Sequence, residues 1–240
     1  MSALATQIDL ADEAARLAAT LEGASPLDVL ERAIGGHRGR IAAVSSFGTE
    51  SAVLLHMIAQ VDRSVPVLFL DTGHLFTETL HYRDTLIARL GLTDVRTYRP
   101  DEQLRAERDA DNDLWASDTD ACCALRKVEP LGRALAPFEA WINGRKRYQA
   151  VTRANIPFVE ADEGRIKFNP LAALGPDDIE GWMTAHDLPR HPMQRFGFAS
   201  IGCMPCTSRV KPGEDPRAGR WRGQAKTECG IHVPKDSEVL

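Results

Sequence analysis

Leu10, Ala14, Leu17 and Leu21 recur at intervals of three and four residues, the spacing of one apolar helix face. Residues 8–34 therefore read as helices, and Ser25-Pro26 supplies the cap and first position of the second one. Gly35-Gly36-His37-Arg38-Gly39 ends that pattern. Ile41-Ala42-Ala43-Val44 then reads as a short buried strand and Ala52–Ala59 as a helix. Val65–Leu70 is a second buried strand running into Asp71-Thr72-Gly73, Thr77–Leu90 a helix, and Val95-Arg96-Thr97-Tyr98 a third strand. Residues 101–120 are acidic and loop-rich apart from one short helix, and a helix follows from about Ala121 to Leu135. Ala140-Trp141-Ile142-Asn143 is a fourth strand, and Ile156–Val159 pairs with Ile166–Phe168 as a hairpin across Glu163-Gly164. Asp177–His186 is a capped helix, and beyond Pro189 the chain is rich in Pro, Gly and Arg with little periodicity.

Alternation of buried strands with helices implies parallel βαβ units, hence an α/β fold with a mostly parallel sheet and helices on both faces. Three segments are expected: an N-terminal helical part over 1–39, an α/β domain over 40–190, and a C-terminal appendage over 191–240 lying on the sheet. The chain has a net charge of −5, which speaks against bulk attraction to nucleic acid but leaves room for local anion sites. No apolar run approaches the roughly 20 residues that span a bilayer. The start of the chain, with Asp9, Asp12 and Glu13, does not read as a signal peptide. A cytoplasmic location is the expectation. In a reducing compartment, paired cysteines point to metal or redox chemistry more than to disulfides.

Ser45-Ser46-Phe47-Gly48-Thr49-Glu50-Ser51 joins the first strand to the next helix. Backbone N–H groups and the helix dipole at such a junction favour an anion, and hydroxyls add donors. An ordinary capped βα loop explains the same letters equally well.

The five cysteines divide into two close pairs, Cys122-Cys123 and Cys203-Met204-Pro205-Cys206, and a fifth, Cys229, in Lys226-Thr227-Glu228-Cys229-Gly230-Ile231-His232. A CxxC is ambiguous among zinc, an iron–sulfur cluster and a dithiol, whereas adjacent cysteines are unusual for structural zinc. Four thiolates match the supply needed by a cubane cluster. Small buried helix residues, or half a zinc site, are the plainer readings. Cys229 is left over, on a tail expected to be mobile with no core around it, as a thiol nucleophile. Lys127 falls on the helical face of Cys123, and Gly144-Arg145-Lys146-Arg147-Tyr148-Gln149 and Arg217-Ala218-Gly219-Arg220-Trp221 add cationic clusters suited to oxyanions.

Ser46-Phe47-Gly48-Thr49-Glu50-Ser51 resembles the Ser-Gly-Gly-x-Asp-Ser pyrophosphate loop of the adenine-nucleotide α-hydrolase superfamily, in the form its sulfonucleotide reductase branch shows. Leu70-Asp71-Thr72-Gly73 looks like that branch as well. Cys122-Cys123-Ala124-Leu125-Arg126-Lys127-Val128-Glu129-Pro130-Leu131 resembles the Cys-Cys-x-x-Arg-Lys-x-x-Pro-Leu signature of its cluster-containing members, and Ile201–Thr207 the second signature. Gly144–Gln149 resembles Gly-x-Arg-Arg-x-Gln, with Lys146 in place of an arginine.

The resemblance, from about residue 40 to 232, implies an oxidoreductase that converts adenosine 5′-phosphosulfate to sulfite and AMP in sulfate assimilation. It implies Cys229 as the nucleophile forming an S-sulfocysteine, with His232 and Lys127 as catalytic partners. A [4Fe–4S] cluster would rest on Cys122, Cys123, Cys203 and Cys206. Substrate contacts are expected from Ser45, Ser46, Phe47, Gly48, Thr49, Glu50, Ser51, Asp71, Thr72, Gly73, Arg147, Gln149, Arg217 and Arg220. The implied electron donor is thioredoxin or glutaredoxin, and a homo-oligomer is expected. Reduction of the 3′-phosphorylated nucleotide is the alternative. An ATP pyrophosphatase-type thiotransferase and a non-catalytic metal-binding protein are more distant ones.

Overall fold

The computed structural model describes residues 3–232. Two helices, α1 (Ala3–Thr20) and α2 (Pro26–Gly36), lead into the sheet. Ser25 caps α2 in a reciprocal capping box with Asp28, and Pro26 takes the first helical position, where its missing N–H costs nothing. The sheet is then built from β1 (Ile41–Val44), α3 (Ser51–Val61), β2 (Val67–Leu70), α4 (Thr77–Leu90) and β3 (Val95–Tyr98). Three short helices follow, α5 (Glu102–Arg108), α6 (Leu114–Ser117) and α7 (Thr119–Cys123). A π-helical turn (Ala124–Val128) joins α7 to α8 (Glu129–Leu135). The chain continues through β4 (Ala140–Ile142), β5 (Val159–Asp162), β6 (Arg165–Phe168) and α9 (Pro176–Ala185).

The strand order is β3-β2-β1-β4-β6-β5, parallel throughout except for the β5–β6 hairpin. The chain winds outward from β1 to β3 and then returns to place β4 on the other side of β1. The carboxyl ends of β1 and β4 therefore flank the switch point, where ligands collect in open α/β sheets. Alternate residues of the central strands feed two cores. Ile41, Ala43, Val67, Phe69, Ala140 and Ile142 pack in the larger one, with α2, α3 and α9. Ala42, Val44, Leu68 and Trp141 face the other way, against Leu131, Ala134 and Leu135 of α8. Helices thus cover both faces, as the strand–helix alternation predicts. No helix among the described residues is long and apolar enough to cross a membrane.

Three expectations need correction. The first hairpin strand runs over Val159–Asp162, not Ile156–Val159. Glu163 (φ 48°) and Gly164 (φ 78°) are both left-handed, and Asp162 pairs directly with Arg165. A two-residue turn of this kind carries the strands up to its edge, polar residues included. The helix expected over 121–135 is a continuous run in which the π turn precedes Pro130. A proline lacks an N–H and crowds the preceding turn, and a widened turn absorbs both effects.

The third correction concerns the tail, which is docked. Ile231 packs against the second core, and His232 stacks on Trp141 with ring centroids 5.9 Å apart and 5° between planes. The segment leading to it is tied down by bridges from Leu75 to Cys203 and from Thr207 to Arg220. Gly219 is required there, because a Cβ would collide with the Ser208 carbonyl, whereas a Cβ on Gly202 would have to displace the Arg220 guanidinium.

Candidate active site

The loop after β1 reverses sharply at Phe47, which holds φ 48° while fully buried edge-on to Phe69 at 5.3 Å. Left-handed backbone costs a non-glycine residue about 1–2 kcal/mol, whereas burying a phenylalanine contributes about 2–3 kcal/mol. Burial wins, so the position tolerates a side chain where glycine would be unstrained. The Ser45 hydroxyl accepts from the Phe47 N–H at 3.2 Å, and Thr49 Oγ1 donates to the Ala199 carbonyl at 3.0 Å. No side chain caps α3, so its first turn faces an open crevice.

That crevice holds about 190 Å³ at the β1–β4 switch point. Ser45, Ser46, Gly48, Thr49, Glu50 and Ser51 line one wall; Asn143, Gly144, Arg145, Lys146, Gln149 and Arg153 line the other. A second lobe of about 150 Å³ adjoins it, bounded by Thr72, Lys127, Cys203, Trp221, Glu228 and Cys229. Ser45, Ser46, Ile201, Arg217, Arg220, Ile231 and His232 border both lobes. The fold thus brings the phosphate-type loop, the arginines after β4 and the tail thiol to one cleft.

Most cations of the first lobe already have partners. Glu50 pairs with Lys146 at 2.9 Å and accepts from Tyr148 Oη and Gln149 Nε2, each at 2.8 Å. Burial pushes the Glu50 carboxyl up, but Lys146 and these donors outweigh it and hold it below its ordinary value. Arg145 is bound by Glu160, Asn143 and Asn169. Arg153 and Arg217 share Glu228 at 2.7 and 3.5 Å. Arg220 has no carboxylate partner among the described residues and lies over the Trp221 ring at 4.4 Å.

Lys127 makes no hydrogen bond or ion pair among the described residues and faces the thiol lobe. Burial pulls its ammonium down, but the charges of Cys203, Cys229 and Cys123 outweigh that and raise it. His232 goes the other way. Burial, then Lys167 and Arg145, hold its imidazole well below the usual range, so it is neutral and cannot act on Cys229 as a cation. Its Nδ1 has no hydrogen-bond partner among the described residues.

Cys122, Cys123 and Cys203 are buried and Cys206 is half-buried. The Cys203 sulfur lies 3.2 Å from Thr72 Oγ1. Burial, reinforced by the charge of Cys123, pushes the Cys122 thiol up to about 12, and burial also raises Cys123 and Cys206. Trp221 Nε1 is a buried donor without a partner among the described residues, and the Trp221 backbone N–H binds the Cys206 carbonyl at 3.1 Å. No three His, Cys, Asp or Glu groups among the described residues converge tightly enough to hold a metal ion.

Several expected contacts lie elsewhere. Arg147 turns away from the cleft, donating to the Ile156 carbonyl at 3.0 Å and covering Phe158. Asp71 accepts from Arg99 at 2.9 Å and from the Gly73 N–H at 3.1 Å, so it shapes its own turn. Phe47 belongs to the core, and Gly73 lies against Arg126. Asn143, Arg145, Arg153 and Glu228 also line the cleft; of these, Arg145 lay within a cationic cluster marked for oxyanions, but none was named as a substrate contact. For Asn143 a signal existed, since it directly follows the β4 strand.

This sheet order and cleft define the adenine-nucleotide α-hydrolase type of fold. FMN adenylyltransferase of Candida glabrata shares the fold alone, at a TM-score of 0.53 and 14% identity over 82% of this chain and 70% of its own. The phosphoadenylyl-sulfate reductase of Candida auris, solved as a phosphate complex, superposes at a TM-score of 0.69 with 29% identity, covering 83% of this chain and 97% of that one. Residues 40–209 match the phosphoadenosine phosphosulfate reductase domain, and the chain belongs to that family. It is 53% identical to the adenosine 5′-phosphosulfate reductase of Mesorhizobium japonicum, over 93% of this chain and 89% of that protein. It is 41% identical to the protein of that name from Mycobacterium tuberculosis, over 95% and 96%.

Proposed function

We propose that this chain reduces adenosine 5′-phosphosulfate to sulfite and AMP, with a dithiol protein of the thioredoxin or glutaredoxin type as electron donor. The observation that carries this reading is the cationic crevice at the β1–β4 switch point opening directly onto the Cys229 thiol. A phosphosulfate carries its negative charge on the oxygens around the sulfur that must be attacked, so a thiolate is repelled until cations offset that charge. The first turn of α3 and the Ser45–Ser46 hydroxyls suit the phosphate. Arg217, Arg220 and Lys127 border the place where a sulfate would meet Cys229. The Cys229 thiolate forms a bond to sulfur as the sulfur–oxygen bond to phosphate breaks, and AMP leaves with the electron pair. A donor thiolate then attacks the Cys229 sulfur and sulfite departs. The second donor thiol resolves the mixed disulfide, returning Cys229 and supplying two electrons in all. His232, neutral and with Nδ1 free, is suited to hydrogen-bond a substrate oxygen.

Cys122, Cys123, Cys203 and Cys206 would hold a [4Fe–4S] cluster, which when bound supplies a charged group beside the sulfate end of the cleft. Four cysteine sulfurs match the ligand supply of such a cluster. Burial disfavours the Cys122, Cys123 and Cys206 thiolates in the free protein, and metal binding displaces their protons.

The decisive experiment is incubation with adenosine 5′-phosphosulfate and no reductant, followed by peptide mass analysis. A sulfonate adduct on the Cys229 peptide is expected, with none in Cys229→Ser. An adduct on another cysteine, or sulfite release by the serine variant, overturns the reading.

A further inference from the structure

Glu228, immediately before the nucleophile, is almost buried and carries a two-pronged clamp. Arg153 Nε and Nη2 each donate to one of its carboxylate oxygens at 2.7 Å, and Arg217 approaches at 3.5 Å. Arg217 also donates to the Thr227 carbonyl at 2.8 Å. Both arginines line the anion crevice. On the far side of Cys229, Ile231 is seated in the second core and His232 on Trp141. Between the anchors Gly230 holds φ 84°, a reversal that favours glycine. Cys229 therefore sits on a short arch pinned at both ends, half-buried over the lobe shared with Lys127 and Cys203.

One end of this arch rests on an apolar core contact and a ring stack. The other is a carboxylate held by the same two guanidiniums that face an incoming anionic substrate. An isolated buried carboxylate would be costly, so the tail's docking and the occupancy of these arginines are linked. We infer that Glu228 is a positioning residue: its clamp to Arg153 and Arg217 holds Cys229 over the cleft for attack, and its release frees the sulfonated Cys229 for a protein reductant. The inference rests on the proposed reaction and separates its two halves. Glu228 takes no part in bond making.

The test compares wild type with Glu228→Gln and Glu228→Asp in three measurements. Single-turnover formation of the Cys229 adduct from adenosine 5′-phosphosulfate should fall tenfold or more in Glu228→Gln and recover in part in Glu228→Asp. Once the adduct has accumulated, its reduction by dithiothreitol should proceed at least as fast as in wild type. In the absence of nucleotide, tryptic cleavage after Lys226 should accelerate in Glu228→Gln, reporting a lifted tail independently of chemistry. AMP binding should be kept or tightened, because Arg153 and Arg217 are freed. Adduct formation at the wild-type rate in Glu228→Gln overturns the inference. So does loss of AMP binding, which would make the clamp part of the crevice wall and not a tail restraint. Failure of wild type itself to form the Cys229 adduct would instead strike at the proposed reaction.

Discussion

Arg145, Lys146 and Arg147 are three consecutive cations with three separate fates. Arg145 is engaged by Glu160, Lys146 by Glu50, and Arg147 by a backbone carbonyl and the Phe158 ring. In the sequence this run reads as a cationic cluster suited to oxyanions, a 3′-phosphate among them. In the folded protein none of the three is left over for a second phosphate, and each would have to abandon a present partner. A buried phosphate without its own cations is expensive. Adenosine 5′-phosphosulfate should therefore be preferred over its 3′-phosphorylated form by about tenfold or more in kcat/KM. Steady-state sulfite release from each nucleotide with one reduced thioredoxin measures this, and equal or reversed preference contradicts it.

The helix carrying Cys122 and Cys123 is fixed by a buried pair three residues further on. Arg126, 3% exposed at its side chain, pairs with the fully buried Asp109 and donates to the Thr72 carbonyl at 2.8 Å. Asn112 accepts from the same guanidinium at 2.7 Å. This one side chain joins the acidic 101–120 segment, the β2 loop and the cysteine helix. Arg126→Leu should cost about 3–5 kcal/mol in urea unfolding, chiefly by stranding Asp109. The pH dependence distinguishes this from lost packing. In wild type burial raises the Asp109 carboxyl, but hydrogen bonds from Arg126 and the Leu114 N–H outweigh it and leave it low. Its contribution is therefore complete above about pH 4 and is lost as pH falls through the folded value. In the variant the stranded carboxyl is raised, so acid restores stability. The gap between the two proteins should narrow from pH 7 toward pH 4, and a constant gap contradicts the assignment.

At the scale of the molecule, the four paired cysteines come from segments about 80 residues apart. The 203–206 loop is held beside the loop after β2 by the bridge from Leu75 to Cys203 and by the Met204 N–H, which donates to the His74 carbonyl at 2.7 Å. A cluster bound there would staple the C-terminal segment, and with it the Cys229 tail, to the sheet. Cys203→Ser should lower bound iron and sulfide together, remove the visible absorbance and speed proteolysis beyond residue 200. An intact spectrum, or stoichiometric zinc in a fully active wild type, contradicts the cluster.

Local physics was legible without the structure. The helix Thr77–Leu90 and the strand Val95–Tyr98 fall where periodicity put them, the Ser25 cap is made by the side chain expected, and strand–helix alternation gave the parallel sheet. The division of the cysteines into two pairs and a leftover thiol was equally readable, because residue chemistry does not depend on the fold. Tertiary structure alone decided which cations face the cleft and whether the tail is docked. Side-chain direction after β4 depends on turn dihedrals and on carboxylates that local patterning does not reveal. Glu160 lies 15 residues from Arg145, and Glu228 lies 75 from Arg153. Ile231 and His232 read as a loose tail because the second core and the Trp141 ring they dock on belong to a sheet face that exists only once β1, β2 and β4 have assembled.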